Sequence, residues 1–368
     1  MINRLPNPDF WRNKKVLVTG HSGFKGGWLT IWLDKLEAIV SGISLEAQTC
    51  PNLFTEANIS EICESKFVDI TNLESLSKEI HNIQPEIIIH MAAQSLVRKS
   101  YEEPINTFNV NVLGSLNILE AVRECSSVKT VIMVTTDKVY QNNEGGRSYK
   151  EDDSLGGHDP YSSSKAASEI VIESYRKSFF SKENISISSA RAGNVIGGGD
   201  WSDDRLIPDA VKSWKANKTL EIRSPNSVRP WQHVLEPLSG YLNLALSLKD
   251  NKLICGEPFN FGPLASENKS VREVVSLMAD RWQTSNWKIV EDTMSSNKEH
   301  NLLQLNCEKA AIKLGWHPVW YLEDTINNTI DWYRSFYENG AETIIELTGE
   351  QIDQYTIAAS ERGLEWTR

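Results

Sequence analysis

A short β-branched run, Lys15-Val16-Leu17-Val18-Thr19, stops at a glycine and continues as Gly20-His21-Ser22-Gly23-Phe24-Lys25-Gly26. Beyond it, Trp28, Leu29, Trp32, Leu33 and Leu36 recur at helical spacing. Strand, glycine turn and helix in that order admit few folds, because they are the opening unit of a parallel sheet with a dinucleotide at its first turn. Gly20 permits the tight turn, Gly23 lets the backbone approach a pyrophosphate, and Gly26 lets the helix pack close on the strand. The anion then rests at the helix N-terminus, where free N–H groups and the dipole favour negative charge. The spacing is G-x-x-G-x-x-G rather than G-x-G-x-x-G.

Downstream segments continue the strand–helix alternation. Residues 40–43 read as the second strand, after which Glu46 is the acidic candidate for a ribose hydroxyl. Glu46 serves equally as a solvated loop charge, which leaves NAD against NADP open at this point. Lys66-Phe67-Val68 leads to Asp69-Ile70, where Asp69 either contacts an adenine amine or caps the helix from Asn72 onward. Residues 85–91 form a strongly apolar strand ending in Ala92-Ala93-Gln94-Ser95, and small residues there let a cofactor lie against the backbone. A long helix is expected over 104–125, apolar on more than one side and therefore suited to burial against both the sheet and a second subunit. On it, Asn111 either orients a water or backbone group at the site or is a buried amide satisfied locally.

Residues 130–135 read as the next buried strand, and Thr136-Asp137-Lys138-Val139-Tyr140 stands at its carboxyl end, where chemistry is expected in such a sheet. A polar loop over 142–153 flanks it. Tyr161-Ser162-Ser163-Ser164-Lys165 follows on a helix expected over 160–179, placing phenol and ammonium on one helical face. Beside an ammonium the charged form of a phenol is favoured, so Tyr161 is expected below its ordinary value near 10 and able to exchange a proton with an alcohol. A strand over 184–188 leads into Arg191 and the glycine-rich Gly193-Asn194-Val195-Ile196-Gly197-Gly198-Gly199-Asp200-Trp201. The alternation weakens after that. Arg205, Arg223 and Arg229 are spaced as if on separate elements, residues 258–262 read as a strand returning to the main sheet, and 322–368 are helical in pattern. The expected fold is α/β, a Rossmann-type doubly wound parallel sheet over 1–190 with about 228–263 returning to it. A smaller C-terminal α/β substrate-binding domain takes 191–227 and 264–368.

With 368 residues the chain has ample length for two domains and a sizeable core. A net charge of -11 argues against a general nucleic-acid binder, so an anionic ligand must be held by a local cluster of cations and helix N-termini. Cys50, Cys63, Cys125, Cys255 and Cys307 are scattered without a Cys-x-x-Cys pair, which speaks against a metal site or a disulfide framework. Residues 1–11 lack the apolar core of a secretory signal, and no apolar run reaches membrane-spanning length, so a cytoplasmic protein is expected. Most of the twelve Trp are expected to be packing residues.

Together these motifs resemble the extended short-chain dehydrogenases/reductases that act on nucleotide sugars, and the likeness spans essentially the whole chain. It is carried by Thr19 to Gly26, Ala92-Ala93-Gln94, Asn111 with Gly114, Thr136, and Tyr161 with Lys165. Within that branch, residues 20–28, Gln94-Ser95-Leu96-Val97-Arg98, Thr136 to Tyr140 and Gly193 to Trp201 are similar to the CDP-sugar 4,6-dehydratases. The resemblance implies that Tyr161, helped by Thr136 and Lys165, takes the O4 proton of CDP-glucose while C4 gives its hydride to a tightly held NAD. Asp137 would protonate the departing C6 hydroxyl, and the hydride would return to C6 so that NAD is regenerated. The dTDP-sugar dehydratases carry Asp-Glu where this chain has Asp137-Lys138, so either Lys138 is the C5 base or it acts electrostatically and another group removes the proton. The resemblance also implies cofactor contacts from Gly20, Gly23, Phe24, Lys25, Gly26, Asp69, Ile70, Ala92, Ala93, Gln94, Asn111, Thr135, Tyr161 and Lys165. Substrate contacts would come from Gln94, Ser95, Asn194, Trp201, Arg205 and Arg229, with no metal, and a homodimer would form through helices 104–125 and 160–180. The alternatives are an epimerase or 4-reductase on the same fold, which has no use for Asp137, and a silent dinucleotide sensor, which has no use for the intact Thr136, Tyr161 and Lys165.

Overall fold

Seven strands, β1 (Lys15–Thr19), β2 (Ile39–Ser44), β3 (Glu64–Phe67), β4 (Ile87–His90), β5 (Thr130–Val134), β6 (Ser186–Ala192) and β7 (Phe259–Phe261), pair in one all-parallel sheet of order 3-2-1-4-5-6-7. The computed structural model describes residues 7–141, 147–180, 185–282, 285–290 and 303–367. The start of the expected 142–153 loop and the first residue of the expected 184–188 strand lie outside these. Strand order reverses between β1 and β4, the switch point at which such sheets bind ligands.

Period-two alternation splits the strands between two cores. Val16, Val18, Ile87, Ile89 and Ile132 face one, and Leu17, Ile88, Val131 and Met133 face the other. The second core is closed by α2 (Leu73–Ile83), α4 (Gly114–Arg123) and α5 (Pro160–Tyr175), through Leu76, Ile80, Ile118, Leu119, Val122 and Ile172. The first is closed by α1 (Phe24–Lys35), α6 (Leu206–Lys215), α7 (Leu235–Asp250), α8 (Leu322–Asn339) and α9 (Ile344–Glu361), through Trp28, Trp32, Trp214, Leu238, Tyr241, Trp332 and Tyr355. Covering both faces is what lets the strands be apolar on both sides. Trp11, Trp28, Trp32, Trp214, Trp316 and Trp332 are wholly buried there, so these indoles are packing residues.

Three expectations change. The helix expected over 104–125 is broken into α3 (Pro104–Phe108) and α4 by a π-helical turn over Asn109–Leu113, and a short helix over Val97–Glu102 precedes it. The wider turn presents Asn111, which donates to Ser164 Oγ at 2.8 Å and Gln94 O at 3.0 Å and accepts from Gln94 N at 2.9 Å. Secondly, β6 spans Ser186–Ala192 where a strand over 184–188 was expected, and its far end is paired by β7: Phe259 with Ala190 and Phe261 with Ala192. Thirdly, the region where the alternation weakens still carries a long helix, since α7 runs 16 residues and lays Leu238, Tyr241 and Leu242 into the first core. Among the described residues all five cysteines are free, no helix is long and apolar enough to cross a membrane, and no group of His, Cys, Asp and Glu is placed to hold a metal.

Candidate active site

The glycine turn has the shape its spacing demands. Gly20 adopts φ +79°, and a Cβ there would stand 2.9 Å from Ala92 N, while a Cβ on Gly26 would stand 2.1 Å from Gly20 O. A Cβ on Gly23 would meet only Gly20 O, at 3.4 Å, so this residue leaves room on its other side. Gly23 is also the N-cap of α1 and provides no side-chain cap, which leaves the first N–H groups of the helix for a ligand. His21 wedges this turn against β2: its Nε2 is 3.0 Å from Ser65 Oγ, and its ring occupies the space a Cβ on Gly42 would need. Burial pulls the His21 imidazole down to about 4, so it is neutral at physiological pH. The cradle fits a dinucleotide pyrophosphate. Past β2, Ser44 to Thr49 line the same cavity with Glu46 as their one charge, which suits a free ribose diol rather than a phosphorylated one.

The turn opens onto a cavity of about 1320 Å³, larger than the roughly 300–1,000 Å³ that one small ligand needs. Every residue expected at the site lines it except Asn111. Asn111 is buried one layer behind, clamping the Gln94 backbone to α5. Asp69 is a lining residue rather than a helix cap: its Oδ1 accepts from Thr71 N at 2.8 Å, and Asn72 caps α2 by accepting from Ser75 N at 3.0 Å. The Gln94 amide is already engaged, donating to Thr107 Oγ1 of α3 at 2.9 Å and to Leu96 O at 3.1 Å.

At the end of β5 the sequence Thr136-Asp137-Lys138 meets Tyr161 of α5. Thr136 Oγ1 donates to Asp137 Oδ1 at 3.0 Å and hydrogen-bonds the Tyr161 phenol. Lys138 Nζ lies 3.9 Å from the same Asp137 oxygen. Asp137 is wholly buried, and its Oδ2 makes no hydrogen bond, which leaves one carboxyl oxygen in reserve for a ligand. The room for that carboxyl comes from Gly193, where a Cβ would stand 2.0 Å from both Asp137 Cγ and Oδ2. Gly193→Ala is therefore expected to displace the carboxyl and lower turnover by about 10²-fold with the fold retained, as steady-state rates beside circular dichroism will show.

The expected electrostatics of Tyr161 is corrected. Burial holds the phenol above its ordinary value, and the opposing influences are the Thr136 hydrogen bond and then the charge of Lys138, not Lys165. Lys165 instead donates to Val134 O at 3.3 Å, and burial brings its ammonium down to about 8, with Glu169 acting against that fall. Lys25 reaches inward from the glycine turn, donating to Tyr241 OH at 2.8 Å. Burial, then the charges of Lys165 and Arg205, bring it down to about 7 while Asp137 opposes.

On the far wall Arg205 donates to Asp200 Oδ2 at 3.1 Å and to Ser95 Oγ at 3.2 Å, so two expected substrate residues are already joined. Asn194 holds a left-handed backbone at φ +48°, an uncommon conformation for a residue with a side chain and one that clusters at binding sites. Trp201 touches the cavity but is mainly packing: its ring lies 5.0 Å from Phe336 and 5.7 Å from Trp332, and its indole N–H donates to Tyr337 OH at 3.2 Å. Gly193 and Asp200 enter the sequence reading only within the glycine-rich run, with no role of their own, and Glu169 does not enter it. The usable signal for Glu169 is its place four residues beyond Lys165, on the same helical face.

Sheet order, glycine cradle and the Tyr161–Lys165 face define an extended short-chain dehydrogenase/reductase. The chain belongs to the GDP-mannose 4,6 dehydratase family, whose sequence profile matches residues 17–329. It is 42% identical over 358 residues to a CDP-glucose 4,6-dehydratase of Salmonella typhimurium, covering 96% of this chain and 99% of the relative. A human dTDP-D-glucose 4,6-dehydratase is 28% identical, covering 89% of this chain and 91% of the relative. Among solved structures, DesIV, a dTDP-glucose 4,6-dehydratase from Streptomyces venezuelae with NAD bound, superposes with TM-score 0.72 at 23% identity over 87% of this chain and 97% of that one. A UDP-glucuronic acid 4-epimerase from Bacillus cereus superposes with TM-score 0.73 at 22% identity over 88% and 99%, and these two likenesses speak to the fold alone.

Proposed function

We propose that the chain is a CDP-glucose 4,6-dehydratase, an NAD-dependent hydro-lyase that converts CDP-D-glucose to CDP-4-dehydro-6-deoxy-D-glucose. The observation that carries the reaction type is Asp137, a buried carboxyl with one unpartnered oxygen beside the Tyr161 phenol and its Thr136 partner. An epimerase or 4-reductase needs Tyr161 and Lys165 but has no task for that carboxyl. The choice of CDP rests on the full-length kinship at 42% identity together with Lys138 following Asp137.

The Gly20–Gly26 cradle, the N-terminus of α1, Asp69, the Ala92-Ala93 strand end and Lys165 are the residues that hold NAD. When bound, NAD supplies the two-electron acceptor for C4 and the donor for C6. Tyr161 takes the O4 proton, with Thr136 fixing the phenol and the positive charge of Lys138 opposing the effect of burial on it. The 4-ketone acidifies the C5 proton, and Lys138 is the group of this corner assigned to C5. Asp137 delivers a proton to the C6 hydroxyl, which leaves as water. Lys138 returns the C5 proton as the C6 methyl is completed, and the proton Tyr161 took from O4 offsets the one Asp137 gave to the departing water, so neither oxidant nor acid is consumed. Arg205, Arg229 and Asn194 hold the diphosphate and sugar, the forked guanidiniums suiting phosphate oxygens. Residues drawn from 192–209 and 221–231, with Val271 of the 264–368 segment, line the wall assigned to the nucleotide sugar.

The test is to incubate protein and NAD with CDP-, dTDP-, UDP- and GDP-linked glucose and weigh the products. Loss of one water from the CDP sugar is expected; unchanged mass, or preference for another nucleotide, overturns the proposal. We further propose a cytoplasmic enzyme of deoxysugar biosynthesis for surface polysaccharide such as O-antigen. A homodimer through 104–125 and 160–180 is supported by apolar residues left bare on those helices, Ile105 at 77% and Ile170 at 62% exposure. Light scattering is expected to give twice the chain mass, and Ile105→Glu with Ile170→Glu is expected to give the monomer.

A further inference from the structure

We infer that Glu169, clamped by Arg191, is a positioning residue that fixes the Thr135-Thr136 strand end in working arrangement and places a buried negative charge one helical turn from Lys165. This rests on the reaction reading above for what Lys165 and Thr136 do, though not for where they are held. Tyr161, Lys165 and Glu169 follow one another at four-residue steps, so α5 presents all three on one face.

Glu169 is almost fully buried, with its side chain at 5% exposure, and each of its oxygens is used twice. Oε1 accepts from Thr135 Oγ1 at 2.5 Å and Arg191 Nε at 2.9 Å, and Oε2 accepts from Ser189 Oγ at 2.8 Å and Arg191 Nη2 at 3.0 Å. Arg191 continues the network, donating from Nη1 to Tyr140 OH at 2.9 Å and Glu151 O at 3.0 Å. One carboxylate thus ties α5 to the end of β5, to β6 and to the loop behind the catalytic corner. A buried ion pair is a poor device for stability, because removing both partners for apolar groups is often neutral or better. Its place is better explained by what it holds. Thr135 immediately precedes Thr136, so the bond to Glu169 fixes the residue from which Thr136 reaches Tyr161 and Asp137.

The same carboxylate acts on the charge of Lys165. Four groups face the Lys165 ammonium: Glu169 from its own helix, Lys25 from the glycine turn, His90 from β4 and the Val134 carbonyl from β5. Lys25 repels it, His90 is pulled down to about 3 by burial and stays neutral, and Val134 O accepts one hydrogen bond. Among these four, Glu169 is the anion that keeps Lys165 protonated. Glu169→Gln removes that anion and leaves Arg191 charged and unpaired. Both changes lower the Lys165 pKa, so the ammonium is lost at lower pH and the alkaline limb of activity moves toward acid.

The experiment reads Lys165 directly by side-chain ¹⁵N NMR titration and, separately, the pH profile of kcat. In Glu169→Gln both midpoints are expected to fall by about one pH unit, with KM within about twofold of the parent and Glu169→Asp recovering most of the shift. Should Arg191 left alone prevent folding, Glu169→Gln with Arg191→Gln keeps the pocket neutral, and the Lys165 midpoint is still expected to fall. A folded variant whose Lys165 midpoint matches the parent overturns the inference. A parent that removes no water from CDP-glucose overturns the reaction reading instead, and the NMR midpoint stands apart from that result.

Discussion

Tyr161→Phe is expected to lower the rate of dehydration by about 10³-fold, within the roughly 10²–10⁴-fold range that a positioned acid–base group contributes. The ring stays, so the packing of α5 against the sheet is kept, and the one bond lost is that to Thr136. Such a neutral hydrogen bond is worth about 0.5–1.5 kcal/mol, too little to unfold a domain of this size. Without the phenol nothing at this corner takes the O4 proton, and the reaction stops before C4 is oxidised. Stopped-flow absorbance should therefore show no reduced nicotinamide at any point. A variant that forms it at the parental rate would remove Tyr161 from the chemistry. Its burial, rather than a lysine, dominates the phenol, so proton uptake depends on contacts made in the occupied site: Thr136 hydrogen-bonded to the oxygen and Lys138 nearby.

Asp137→Asn separates the two halves of the reaction. The amide matches the carboxyl in shape and fits the space that Gly193 leaves, so C4 oxidation by Tyr161 is expected to continue. Water loss is expected to slow by about 10²–10⁴-fold, because an amide has no proton of suitable acidity for the leaving hydroxyl. The signature is reduced nicotinamide that accumulates on the protein and decays slowly, the reverse of the Tyr161→Phe result. Normal turnover would show that another group protonates the C6 hydroxyl.

Much of this architecture was legible because short-range rules carry it. Strand β1, its turn and α1 follow from backbone requirements at Gly20 and Gly26 that no other residue meets, and the buried strands announce themselves by apolar runs. The return of residues 258–262 to the sheet was readable as an isolated β-rich run. What escaped depends on long-range geometry. The π-helical turn at Asn109–Leu113 has no sequence signal beyond Asn111 itself, since it forms to satisfy Gln94 and Ser164 from other elements. The role of Gly193 is visible only once β6 is laid beside β5 and the Asp137 carboxyl lies against it. The Tyr161–Lys165 spacing led to a coupling the structure does not have, because four residues along a helix fix a shared face but not which atoms meet. Lys165 spends its ammonium on Val134 O, and burial outweighs charge at Tyr161.

The central claim is that one corner, built from Thr136, Asp137, Lys138, Tyr161 and Lys165, oxidises C4, eliminates water and restores the hydride at C6 of the same sugar. CDP-glucose deuterated at C4 tests it most directly, with the product read by NMR and the nicotinamide followed by absorbance. Deuterium is expected in the C6 methyl group of the 4-keto product, with no net reduction of NAD. A product without deuterium at C6, or reduced nicotinamide released in step with it, would contradict the claim.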